Sequence, residues 1–123
     1  MYEVIFYATE KGECPTDDFL DTLQRKVRAK VEKWIEQLER HGPDLPRPYA
    51  DVVHGKIREL RISFGPNKYR LLYFFYGKKI MTTHGFMKKT PALPVQEIER
   101  AERAMHDFLQ RHKGGNEHGH CSQ

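Results

Sequence analysis

Apolar and polar positions along this chain fall into distinct periodic stretches. Tyr2 to Tyr7 is rich in aromatic and β-branched residues and ends before Thr9-Glu10-Lys11-Gly12, which predicts a strand followed by a loop. Beyond it, Phe19, Leu20, Leu23, Val27, Val31, Trp34, Ile35 and Leu38 recur at helical spacing, describing one apolar face of a long helix or helical hairpin. Thr16 is placed to cap that helix, with Asp17 and Asp18 in a first turn where carboxylates meet the positive end of the dipole. Gly42-Pro43 ends the pattern, and Pro43, Pro46 and Pro48 predict an extended connector that cannot be helical.

The pattern then changes to alternation. In Ile57 to Phe64, Leu60, Ile62 and Phe64 fall on one side and Glu59, Arg61 and Ser63 on the other, so one face is buried and one carries charge. Gly65-Pro66-Asn67 breaks the run, Tyr69 to Tyr76 reads as a central strand with bulky residues on both faces, and Gly77-Lys78 is a hairpin turn into Lys79 to Phe86. After Pro94, the residues Val95, Ile98, Ala101, Met105 and Leu109 mark a closing amphipathic helix. The order β, α, β, β, β, α predicts an α+β fold. A short antiparallel three-strand meander would pack against the N-terminal helix or hairpin and the C-terminal helix. Residues 1–113 are expected to form one domain and 114–123, with no periodicity, a disordered tail.

Composition narrows the function more than the fold. A chain of 123 residues has room for one core and no separate substrate domain, so function must sit on the surface or in a shallow cleft. Its formal net charge of +4 suits a polyanionic partner without requiring one. The first residues are too short for a signal peptide and no later run approaches a membrane span, so a cytoplasmic protein without a membrane partner is expected. Cys14 and Cys121 show neither metal-type nor redox-type spacing. His112, His118, His120 and Cys121 lie close to glycines in the last residues with no recognised ligand spacing, and no cofactor is expected.

Candidate chemistry gathers on the meander. His54-Gly55-Lys56-Ile57-Arg58-Glu59-Leu60-Arg61, Tyr69-Arg70 and His84-Gly85-Phe86-Met87-Lys88-Lys89-Thr90 put basic groups on three consecutive strands or at their ends, where neighbouring strands make distant residues adjacent. Metal-independent RNA hydrolysis needs a base for the 2′-hydroxyl proton, cations for the phosphorane charge and an acid for the leaving oxygen. Arg61 and Arg70 suit the phosphate role, since a guanidinium binds two oxygens and stays charged. Glu59, His54 or His84 could serve as base, although a carboxylate among arginines can equally form an ordinary ion pair. Lys56, Arg58, Lys88, Lys89 and His54 are candidate RNA contacts. The basic side of the helix, Arg25, Lys26, Arg28, Lys30 and Lys33, reads as a solvated face, with ribosomal RNA contact as its alternative.

Lys56-Ile57-Arg58-Glu59-Leu60-Arg61, then Tyr69-Arg70-Leu71-Leu72-Tyr73-Phe74, then His84-Gly85-Phe86-Met87-Lys88-Lys89-Thr90 and Glu97-Ile98-Glu99-Arg100-Ala101, in this order, resemble a HigB-type toxin. That is the phage-derived branch of the RelE/ParE superfamily. The resemblance implies a RelE-like fold and a metal-independent, ribosome-dependent endonuclease that cuts mRNA in the A site. It also implies a helix-turn-helix antitoxin as partner, with DNA contacted only through the toxin–antitoxin complex. Arg61 and Arg70 match basic residues on the family's second and third strands, and Lys88-Lys89 the basic pair after the fourth. The chain departs from the pattern twice: Pro94-Val95-Gln96-Glu97 supplies no C-terminal Tyr or His, and Glu59 stands where many members have Lys. A gyrase-inhibiting, ParE-like toxin or a catalytically inactive antitoxin-binding member are the alternatives on the same fold.

Overall fold

A computed structural model describes residues 1–112; the expected tail and the His118, His120 and Cys121 candidates lie outside the described residues. The chain runs β1 (Glu3–Phe6), α1 (Pro15–Asp21), α2 (Arg25–His41), a 3-10 turn, β2 (Ala50–His54), β3 (Ile57–Phe64), β4 (Asn67–Tyr76), β5 (Lys79–Lys88) and α3 (Val95–His112). The five strands form one mixed sheet in the order β1-β5-β4-β3-β2, with β1 parallel to β5 and all other pairs antiparallel. The α+β class expected from the sequence is therefore the observed one. The meander has four strands rather than three, because part of the proline-flanked connector pairs with β3 as β2.

Helices cover the sheet unequally. The apolar period from Phe19 to Leu38 spans two helices, broken at Thr22 to Gln24, that lie on the same side of the sheet. Phe19, Leu20, Val27, Val31, Ile35 and Leu38 pack there against Leu60, Ile62, Tyr69, Leu71, Tyr73 and Ile80. Thr16 does not cap α1: the helix begins at Pro15 after an extended Cys14, and the buried Thr16 hydroxyl instead meets Thr82 Oγ1 at 2.8 Å. Gly42, at φ +53°, ends α2 where a Cβ would come within 2.5 Å of the Tyr2 ring. On the other side α3 sets Ala101, Ala104 and Phe108 against Ile57, Leu72, Phe74 and Met81. A small-residue helix face lets the backbone approach closely. The Tyr7 hydroxyl donates to Asp107 at 2.5 Å and Arg111 donates to the Ala8 carbonyl at 2.6 Å, pinning the far end of α3 to the residues that follow β1.

A bulge in β5 decides which side chains share that second face. Leu72 pairs with His84 but Tyr73 with Thr82, so Thr83 is an inserted residue. Below the bulge Met81 points toward α3 and Thr82 toward α1. Above it the alternation is shifted by one. His84 and Phe86 join the α3 side, while Gly85 lies under Phe19, whose ring would be 2.3 Å from any Cβ there.

Candidate functional site

Strand register assembles a charged surface on the α3 side of the sheet. Arg61 and Arg70 are direct cross-strand partners, and Arg70 is in turn paired with Phe86, which makes one row across β3, β4 and β5. Opposed residues of an antiparallel pair project to the same side with Cβ atoms about 5 Å apart. The next row outward holds Ser63, Lys68 and Lys88, and the next row inward Asp51, Glu59, Leu72 and His84.

Glu59 ties the two guanidinium groups together. Its Oε2 accepts from Arg61 Nε at 3.2 Å and Nη2 at 3.0 Å, while its Oε1 lies 2.8 Å from Arg70 Nε as an ion-pair contact off the hydrogen-bond direction. Asp51 extends the chain, 3.5 Å from Arg61 Nη2 and 3.0 Å from Arg47 Nε. Arg70 Nη1 donates to the Tyr69 carbonyl at 3.1 Å. Glu59 and Arg70 are both only 7% exposed, whereas the Arg61 side chain is 34% exposed. Burial lowers the Arg70 guanidinium pKa, and the adjacent Glu59 works against that shift. The carboxylate therefore fixes both cations in place. Arg61 Nη1 and Arg70 Nη2 are left without a hydrogen-bond partner among the described residues.

His84 is the neighbouring titratable group. It is 1% exposed, with Nδ1 at 3.1 Å from the Thr83 hydroxyl and Nε2 at 3.0 Å from Glu97 Oε1 at the start of α3. Burial, with the Arg100 cation, pushes its pKa down to about 4 despite Glu97. At neutral pH the ring is thus uncharged: Nε2–H donates to the carboxylate and Nδ1 accepts from Thr83. Both nitrogens are engaged, so in this arrangement His84 holds α3 on the sheet.

The remaining predicted residues divide by position. Lys88 stands in the outer row beside Lys68, with its Nζ donating to the Pro91 carbonyl at 2.7 Å, and Lys89 follows it, exposed. His54 and Lys56 flank the β2–β3 turn at the opposite end of the strands, roughly 20 Å from Lys88 by strand rise. Arg58 projects to the α2 side, its guanidinium 5.7 Å from the Phe75 ring centroid. The structure therefore brings Arg61, Arg70, Glu59, His84 and Lys88 together and leaves Arg58, His54 and Lys56 apart from them. On α2, Arg28 pairs with Asp21 and Glu32, and Lys30 bonds the Ser63 carbonyl. Among the described residues no three His, Cys, Asp or Glu side chains gather as metal ligands. Sequence reasoning missed Lys68 and Phe86; the alternation Lys68, Arg70 was a legible signal for the first, and only register reveals the second.

Comparison with known proteins adds a family. Residues 18–106 match the family described as "Phage derived protein Gp49-like (DUF891)", a span that contains every strand from β2 to β5 and most of α3. No curated protein matches the chain. No helix among the described residues is long and apolar enough to cross a membrane.

Proposed function

Because the chain belongs to the phage-derived Gp49-like family, a family of RelE/HigB-like toxins, we propose that it is the toxin of a type II toxin–antitoxin pair and a ribosome-dependent mRNA endonuclease. Membership implies an antitoxin as partner, and we assign that partner the helix-turn-helix type. The observation that carries the nuclease reading is the cross-strand pairing of Arg61 with Arg70 on one face, held by a shared carboxylate.

The chemistry follows from that pair. The RNA 2′-hydroxyl attacks the adjacent phosphorus and the 5′-oxygen leaves; one proton goes to a base, another comes from an acid, and the phosphorane gains negative charge. Two fixed guanidiniums with free Nη donors stabilise that charge more in the transition state than in the ground state, because their positions cost no reorganisation during reaction. Lys68 and Lys88 carry the strand past them. Glu59, the carboxylate between the two arginines, is the base nearest the phosphate, while His84, with both ring nitrogens engaged, holds α3 against the sheet.

Purified protein added to translating ribosomes tests the assignment. Wild type should cut mRNA at positions locked to the reading frame, and Arg61→Ala or Arg70→Ala should slow the cut about a hundredfold, the scale of losing one transition-state donor. Message left intact by the wild type rejects the nuclease. The engagement of both Glu59 oxygens favours one other reading, a gyrase-inhibiting toxin that needs no general base. Inhibited supercoiling with untouched translation selects that reading.

A further inference from the structure

The C-terminal half of β5 is a sheet edge. Pairing of β1 with β5 stops at Phe6 and Thr82, and from Gly85 to Lys88 the strand has β4 on one side and no strand on the other among the described residues. Register decides which backbone groups this leaves outward. The Arg61 N–H donates to the Tyr49 carbonyl at 2.8 Å, so the Arg61 backbone faces β2 and that of its partner Arg70 faces β5. Alternation then turns Tyr69 and Leu71 toward β3, and their partners Met87 and Gly85 away from β4. Beside this edge lie two recesses, one of about 840 Å³ at Gly85 and Met87 and one of about 390 Å³ at Thr83 and His84. Pro15, Asp18 and Arg100 border both, which makes them one groove along the strand. Arg100 belongs to α3, across the sheet from Phe19 and Val27, and it reaches a recess on their side only because the sheet between them ends there. The two walls differ. Toward α1 and α2 the groove is apolar, with Phe19, Leu23, Val27, Tyr69 and a Met87 that is 43% exposed. Toward α3 it carries Arg100 and Arg103, both exposed and in no ion pair among the described residues, whereas Glu13 and Asp18 stand on the α1 margin.

We propose that this groove takes an extended segment of the antitoxin as a sixth strand beside β5, in line with β1, with apolar residues toward Phe19 and Val27 alternating with carboxylates toward Arg100 and Arg103. Naming the antitoxin as donor rests on the toxin reading above; the groove and the pattern it selects do not. An open strand edge presents unpaired N–H and C=O groups, and an added strand satisfies those of Gly85 and Met87. Successive side chains of that strand point to opposite faces, so one set meets the apolar wall and the other the two arginines. The acids on the α1 margin repel carboxylates from that side, which leaves one phase of the alternation favoured. Residues 113–123 of the chain itself carry a single acid, Glu117, and no aliphatic side chain, so they do not supply the pattern.

Amide NMR of the full chain tests the groove, with a short synthetic peptide of alternating valine and glutamate as the probe. At about 1 mM peptide, a concentration that reveals even weak binding, shifts should centre on Gly85, Phe86 and Met87, and hydrogen exchange at the Gly85 and Met87 amides should slow about tenfold. The same peptide N-methylated at alternate residues, which removes its main-chain donors, should bind about tenfold more weakly. Arg100→Glu with Arg103→Glu, both on an exposed helix face, should weaken the glutamate peptide by a similar factor and admit a valine–lysine peptide instead. No shifts at that concentration, shifts at the β2 edge around Val52, equal binding of the N-methylated peptide, or indifference to the charge reversal overturns the groove. So does dimerisation of the peptide-free protein through Gly85 and Met87, which would make a second copy the occupant. In the co-purified antitoxin complex the same two amides should exchange about tenfold more slowly than in the free protein; exchange at the free rate overturns the antitoxin as occupant. A chain that binds the peptide but cuts no message loses the nuclease and keeps the groove. A chain that cuts message and ignores the peptide does the reverse.

Discussion

Glu59 shows how one side chain can be structural and functional at once. Its carboxylate is shared between a buried and a half-exposed guanidinium, and the two contacts have unequal worth. Truncating one member of a buried pair leaves a charge without compensation, at a cost of about 3 kcal/mol, whereas a half-exposed pair contributes about 1 kcal/mol or less. Glu59→Ala should therefore lower unfolding stability in urea by about 3 kcal/mol, chiefly through the stranded Arg70. Arg61→Ala should lose no more than about 1 kcal/mol. Equal losses in the two variants would show that the Arg70 contact is not the dominant one. Glu59 was legible as a residue on the charged side of an alternating strand; its burial was not, because that depends on β2 covering β3.

At the level of elements, α3 is held to the sheet by a small apolar contact and by polar latches at both ends. The Tyr7 phenol, pushed up to about 12 by burial and by Asp107, stays protonated and bonded at any ordinary pH. The His84 latch is the pH-sensitive one. In the unfolded chain its imidazole titrates at 6.5, and in the folded protein at about 4. Between these values the unfolded state binds a proton that the folded state refuses, so stability falls as pH falls from about 6.5 to about 4 and this contribution changes no further below that. The full loss is about 3 kcal/mol. His84→Gln should flatten the decline of thermal midpoint across that window, and an unchanged slope would remove His84 as its source.

Two element boundaries escaped the sequence for a shared reason. The three-and-four spacing runs unbroken across Thr22 to Gln24 because both helices bury the same side against one sheet, so periodicity alone cannot distinguish a hairpin from a single rod. β2 follows Pro46 and Pro48, and its Ala-Asp-Val-Val-His run is short and bulged between Val52 and His54. Its pairing is set by β3, not by its own pattern. The strands β3 to β5, by contrast, were legible from alternation and turn residues.

For the whole molecule, the useful quantity is where positive charge lies rather than how much there is. The net +4 is spread over two faces and two sheet ends. If the open face near the arginine row carries RNA, only cations there should release counterions on binding. Each single-strand phosphate contact adds about −0.7 to the slope of log affinity against log salt. Lys88→Ala should reduce that slope by about 0.7, and Lys56→Ala, at the far end of the strands, should leave it unchanged. Anisotropy titrations of an uncleavable oligoribonucleotide across a sodium chloride series measure both. A slope that responds to Lys56 and not to Lys88 would move the RNA path to the other end of the sheet.

Such a layout depends on how the extra residue of the last strand is counted. Deleting Thr83 would flatten the bulge and leave Phe86 and Lys88 on their present side, because Thr82 and His84 already oppose neighbouring residues of β4; one added residue drawn into the ladder beyond it would instead carry Phe86 and Lys88 through the sheet, exchanging them with Gly85 and Met87. For that face, a gene encoding this protein tolerates the loss of a codon there better than the gain of one.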